Sequence, residues 1–224
     1  MAGAPIFDLL IRGGTVIDGT GAPRMRADVG VTGDRIAAVG ALPEASAKRV
    51  VSAAGKIVAP GFIDAHTHDD RALLSHPAMA FKVTQGVTSL IAGNCGVSLA
   101  PYVCPGPPPA SLGLLGADPG WFRFERFADY VAALQLLQPS VNCGLLVGHT
   151  TLRYGVMDRF DRAASASETE AMAERVDEAM EAGAIGVSTG LDYAEAVGSS
   201  FEEVLALVKR AKRHGGLYCS HHRN

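Results

Sequence analysis

The chain has 224 residues, 48% of them hydrophobic and 19% charged, with a net charge of −3. This is the composition of an ordinary globular protein with one large core or two modest ones, and no Lys/Arg run or stripe marks a nucleic-acid or anionic-lipid partner. No apolar stretch nears the ~20 residues that cross a bilayer, and the opening MAGAPIFDLLIRGG lacks a signal peptide's basic start and long apolar middle, so a cytosolic location without membrane contact is expected.

Residues 1–60 read as a small β module. FDLLIRGGTVIDGTG, ADVGVTGDRIAAVG and RVVSAAGKIVAPG alternate apolar and polar residues as half-buried antiparallel strands do, and Gly13-Gly14 and Gly33-Asp34 supply turns. Strands so few and short bury little core alone, so the module is expected to pack as a small sandwich. From residue 61 to 224 the pattern changes. Strand-length apolar runs at residues 62–66, 88–92, 142–147, 185–189 and 217–221 alternate with helical segments at 78–84, 124–137, 168–181 and 201–213. Ser167 with Glu170, and Ser200 with Glu203, have capping-box spacing. Strands apolar on both faces, each followed by a helix, argue for an α/β fold with a helix-covered parallel sheet. Neither GxGxxG after the first strand nor GxxxxGK[ST] occurs, which disfavours the nucleotide-binding version and favours a (β/α)8 barrel. Residues 101–120, dense in Pro and Gly, read as an irregular loop that in a barrel would lie over the active-site face.

The stretch GFIDAHTHDD sets His66 and His68 two apart at a strand end. On a strand such residues point to one side, so the pair is either part of a metal site or a polar strand end turning into solvent. Cys95 in GNCG ends the second strand, His149 in VGHT the third and His221 in YCSHHR the fifth. Ligand-type residues at the C-terminal ends of several parallel strands are how a barrel assembles a site, and a thiolate flanked by Asn94 and Gly96 suits a borderline-soft divalent metal. The four cysteines, Cys95, Cys104, Cys143 and Cys219, form no CxxC pair and read as reduced thiols. For Cys104 and Cys143 a packing role is the simpler reading.

GFIDAHTHDD, QGVTSLIAGNCGVSLAP, GHTTLR, STGLDY and YCSHHRN resemble, in that order, segments of the amidohydrolase superfamily that define its D-aminoacylase branch, the N-acyl-D-amino-acid deacylases. The opening DLLIRGGTVIDGTG is similar to the β module that begins many amidohydrolases. The resemblance implies a centre of one or two zinc ions, with Cys95 as bridging thiolate, His221 as ligand of the tighter position and His66 with His68 as ligands of the second. It implies Tyr193 and His149 as lining of the pocket for a small N-acyl amino acid, though a tyrosine packed under a loop and a histidine capping a strand remain open for these two. Relatives that cleave cyclic amides bridge their metals with a carboxylated lysine, and here no lysine lies between Lys82 and Lys209. The implied chemistry is amide hydrolysis by metal-bound hydroxide, since bound zinc lowers the pKa of water toward ~7 and polarises the carbonyl.

Two departures shape the expectation. Eight βα units need about 250 residues, whereas roughly 164 follow the β module, so a partial TIM-like barrel of about five βα units is expected. Such a chain would lack the family's sixth-strand histidine and eighth-strand aspartate, would be inactive alone, and would leave strand edges for a second chain to cover. The family's proline and glycine after GLxY are replaced by Ala194-Glu195-Ala196-Val197-Gly198, which leaves substrate preference open. Two rival readings are a mononuclear amidohydrolase such as a deaminase, with Cys95 incidental, and an inactive truncated fragment or binding module.

Overall fold

The computed structural model describes residues 6–223; residues 1–5, the start of the opening segment, and Asn224 lie outside the described residues. Contacts divide the chain into two compact units between Gly61 and Phe62.

The first unit is one mixed sheet of five strands, β1 (Ile6–Val16), β2 (Met25–Thr32), β3 (Arg35–Gly40), β4 (Ser46–Ser52) and β5 (Ile57–Val58), in the order β3-β2-β1-β4 with β5 also on β1. β2 and β3 form the expected hairpin across Gly33-Asp34, where Asp8 accepts the Gly33 N–H at 2.7 Å. Gly13-Gly14 is not a turn. β1 runs through it, the register with β2 shifts between Ile11 and Gly14, and Asp28 accepts the Gly13 N–H at 2.7 Å, so the pair is absorbed as a bulge. β4 and β5 pair with β1 in parallel rather than antiparallel. A second layer facing this sheet, as a sandwich requires, is not found among the described residues of the unit. Its small core gathers Val16, Ala27 and Val29 with Ile11, Val31 and Val58.

The second unit is α/β. β6 (Phe62–Asp64) leads through α1 (Asp70–Ser75) and α2 (Ala80–Val83) to β7 (Val87–Ala92). The 101–120 segment follows, with two 3-10 turns at Leu112–Leu115 and Pro119–Trp121, closed by a ribbon of β8 (Tyr102–Val103) against β9 (Arg123–Phe124). Then come α3 (Phe127–Leu137), β10 (Asn142–Gly148), α4 (His149–Val156), α5 (Ala166–Glu181), β11 (Gly186–Gly190), α6 (Phe201–Arg213) and β12 (Leu217–His221). All pairings in the order β12-β11-β10-β7-β6 are parallel. Five strands are thus joined by helical crossovers, with β6 and β12 at the edges.

Central strands are apolar throughout because both faces are covered. Leu90, Leu146, Val147 and Val187 are each at most 1% exposed, and burying such a side chain contributes ~1.5–3 kcal/mol. Two helices escape the sequence pattern, α1 and α4. α5 starts two residues earlier than the predicted segment, with Ser165 and Glu168 as its capping box rather than Ser167 and Glu170. α6 is capped by Ser200 alone, because the Glu203 carboxylate is drawn elsewhere.

Candidate metal centre

β6 ends at Asp64, so His66 and His68 sit in the loop beyond it rather than on the strand. The loop still brings them together, their ring centroids 5.7 Å apart. His66 Nε2 lies 3.1 Å from Cys95 Sγ, and one ligand atom from each of His66, His68 and Cys95 falls within 4.8 Å of the others. Zinc bonds of ~2.0 Å to nitrogen and ~2.3 Å to sulfur space neighbouring ligand atoms by about 3.5 Å in a tetrahedron, so these donors fit one ion.

A buried atom supports the fit. His68 Nδ1 is buried with no hydrogen-bond partner, and a buried orphan costs ~1–3 kcal/mol unless something satisfies it. Burial, and then the neighbouring His66, push the His68 pKa down, which keeps a lone pair available. Burial pushes the Cys95 thiol up, opposed by the facing Tyr193 hydroxyl, so ligation would have to displace its proton.

The turn that presents Cys95 is built by packing. Cys95 itself has φ of +54°, and Gly93 has φ of +77° with no room for a side chain, since a Cβ there would stand 2.0 Å from the Leu146 carbonyl oxygen. Ser188 donates to the Gly93 carbonyl and accepts the Gly96 N–H at 2.9 Å. Asn94 donates to the Ile91 carbonyl at 2.8 Å. The buried Asp70 carboxylate accepts the Gly93 N–H at 3.1 Å, tying the histidine segment to the cysteine turn.

The histidine segment is held by charge. Lys82 reaches Asp64 at 2.6 Å and Asp69 at 2.8 Å. Burial opposes its charge, but the two carboxylates outweigh that and raise its pKa.

The other predicted residues are placed variously. Tyr193 packs on Gly190, where a Cβ would meet its ring at 2.6 Å and the Cys95 carbonyl at 2.2 Å. His221 ends β12 with its ring centroid 5.2 Å from that of Tyr193, and it does not join the three-residue group. His149 opens α4, is fully buried, and is paired with Glu203 at 2.8 Å. Glu203 also bonds Arg153, itself without exposed surface, and accepts the Ala164 N–H at 2.9 Å. As placed, His149 offers its contacts to the interior rather than to a pocket. Sequence reasoning passed over Lys82, Asp69, Asp70 and Ser188. The acidic pair in HTHDD was visible, but its partners come from distant segments.

The amidohydrolase family pattern matches residues 49–218. A D-aminoacylase from Alcaligenes xylosoxydans xylosoxydans is 50% identical over 218 residues, which are 97% of this chain and 45% of that enzyme. A crystal structure of D-aminoacylase superposes with a TM-score of 0.94 at 52% identity, covering 97% of this chain and 46% of that one. The N-acyl-D-glutamate deacylase of Bordetella bronchiseptica, in complex with zinc and a phosphonate mimic of the tetrahedral intermediate, superposes at 0.92 with 44% identity, covering 98% of this chain and 46% of the other. The chain thus spans less than half the length of each of these relatives.

Proposed function

Since the chain belongs to the amidohydrolase family, we propose that it carries the metal-binding segment of a zinc-dependent enzyme that hydrolyses the amide bond of N-acyl-D-amino acids. The observation that carries the reading is the convergence of His66, His68 and Cys95 with an orphaned His68 Nδ1 among them. The substrate class follows the relatives, a D-aminoacylase and an N-acyl-D-glutamate deacylase, at 50% and 44% identity.

His66, His68 and Cys95 would hold a zinc ion, and His221, across Tyr193, would join if one or two ions are present. When bound, zinc polarises an amide carbonyl and readies water as a nucleophile near neutral pH. The 3.1 Å approach of Cys95 to His66 favours counting the thiol among the donors, against a deaminase-type centre in which it is incidental. The Tyr193 hydroxyl, facing Cys95, stands where it can donate to a substrate carbonyl. His149 would act by holding Glu203 rather than by touching substrate.

The finer architecture belongs to the same proposal. β6 and β12 are sheet edges bearing exposed Phe62, Ile63 and Leu217, which further polypeptide would pair and cover to close a (β/α)8 barrel. A cytosolic setting suits four cysteines that are all free thiols.

Metal analysis of the purified protein and of Cys95→Ala, together with hydrolysis of N-acetyl-D-amino acids and their L enantiomers, tests this reading. Zinc should co-purify and be lost on substitution, and D substrates alone should be consumed. Unchanged zinc in Cys95→Ala would remove the thiol from the centre, and consumption of L substrates would remove the stereochemical assignment.

A further inference from the structure

Asp64 is the last residue of β6 and Asp69 precedes the first turn of α1, so they bracket Ala65, His66, Thr67 and His68. One cation joins the two brackets. Lys82 Nζ lies 2.6 Å from Asp64 Oδ2, 2.8 Å from Asp69 Oδ2 and 3.4 Å from Thr67 Oγ1, with 17% of its side chain exposed. Each carboxylate also holds the segment it bounds. Asp64 Oδ1 accepts the His66 N–H at 3.3 Å, and Asp69 Oδ2 accepts the Thr67 hydroxyl at 2.6 Å. The ammonium therefore neutralises two carboxylates that would otherwise repel across the base of the loop. The same pairing keeps Lys82 protonated, and a protonated lysine has no lone pair to offer a metal.

We infer that Lys82 is a positioning residue of the metal centre: its ammonium cross-links Asp64 and Asp69 and sets His66 and His68 at the spacing at which both reach an ion shared with Cys95. The inference rests on the metal reading above and deepens it. A partly exposed ion pair stabilises a fold only weakly, whereas groups that orient ligands change metal affinity by about 10- to 100-fold. The effect should therefore appear in metal binding and not in folding.

The test measures the Zn²⁺ dissociation constant by chelator competition, and the thiolate-to-metal absorption band with Co²⁺, in the wild type, Lys82→Met, Lys82→Arg and Asp69→Asn. Lys82→Met should bind zinc about 10- to 100-fold more weakly with an altered Co²⁺ band, Lys82→Arg should restore most of both, and thermal melting should change little. Wild-type affinity and an unchanged band in Lys82→Met would overturn the clamp. If Lys82→Met fails to fold, Asp69→Asn, which opens one arm, decides on the same readouts. A wild type that binds no zinc overturns the metal centre itself, whereas zinc bound equally by wild type and variants overturns only the role of Lys82.

Discussion

The two loops that form the candidate centre are held by opposite means. The Cys95 turn lies inside a run, residues 92–100, that is buried throughout, and it is shaped by glycine φ angles and neutral hydrogen bonds from Ser188 and Asn94. The His66–His68 loop is half open to water, with His66 exposed, and is held by a lysine between two aspartates. A dry turn built on close backbone approach has one conformation and tolerates no extra atom. A loop held by charges near water can shift when a partner is removed without taking the fold with it. One loop thus fixes where the thiolate stands, and the other adjusts the imidazoles toward it.

The sharpest way to break this contrast is Gly93→Ala. The added Cβ would meet the Leu146 carbonyl oxygen at 2.0 Å in a left-handed conformation, so backbone of β10 must move. A loss of about 4 kcal/mol or more is expected, read as a fall in the denaturant midpoint. A stable Gly93→Ala protein would show that the turn is not as rigid as its packing implies. Next in size is Glu203→Gln, which asks whether charge in dry surroundings behaves like the turn or like the clamp. It leaves Arg153, without exposed surface, facing a neutral amide, and breaking such a pair costs ~3–5 kcal/mol. Equilibrium unfolding should show this, and a loss of only a few tenths would place the cluster with the clamp.

Residue type and pattern made the second unit legible, and long-range pairing made the rest illegible. The parallel strands follow from runs such as Leu145, Leu146 and Val147, which are buried on both faces. His66, His68 and Cys95 were recognisable as ligand types, although same-side strand geometry was the wrong reason, since β6 stops at Asp64 and the loop aims the histidines. SASETE offers two capping boxes of equal spacing. The earlier one forms because Glu168 also reaches Arg162 with both oxygens at 2.7 Å, while Glu170 is taken by Arg210. His149 read as a pocket residue and Glu203 as a capping-box partner, and the structure pairs them with each other across 54 positions. In the first unit, local alternation marks strands but says nothing of direction, so the parallel pairing of β4 and β5 on β1 was hidden.

The smallest expected effect is a graded one, the acid limb of stability, and it separates buried from half-open charge. Burial alone would raise the Glu203 pKa, but His149, the Ala164 N–H and Arg153 outweigh it and bring it to about 2, below its ordinary value of 4.5. Burial, with Arg153 helping against Glu203, holds the His149 pKa below 6.5. Both groups are thus depressed in the folded state, so each contributes stability that is present above its unfolded pKa and lost as pH falls through the folded one. The loss begins gently below about pH 6.5, where only the unfolded histidine takes a proton, and steepens between about 4.5 and about 2 as Glu203 is neutralised beside Arg153. Unfolding free energy measured on the metal-free protein should therefore decline monotonically into acid, and Glu203→Gln should flatten the steep limb. Lys82→Met should leave that limb nearly as in the wild type, because the clamp's carboxylates have water to turn to. If instead Lys82→Met flattens it and Glu203→Gln does not, the acid sensitivity belongs to the histidine loop, and the division into a dry scaffold and an adjustable charged arm is reversed.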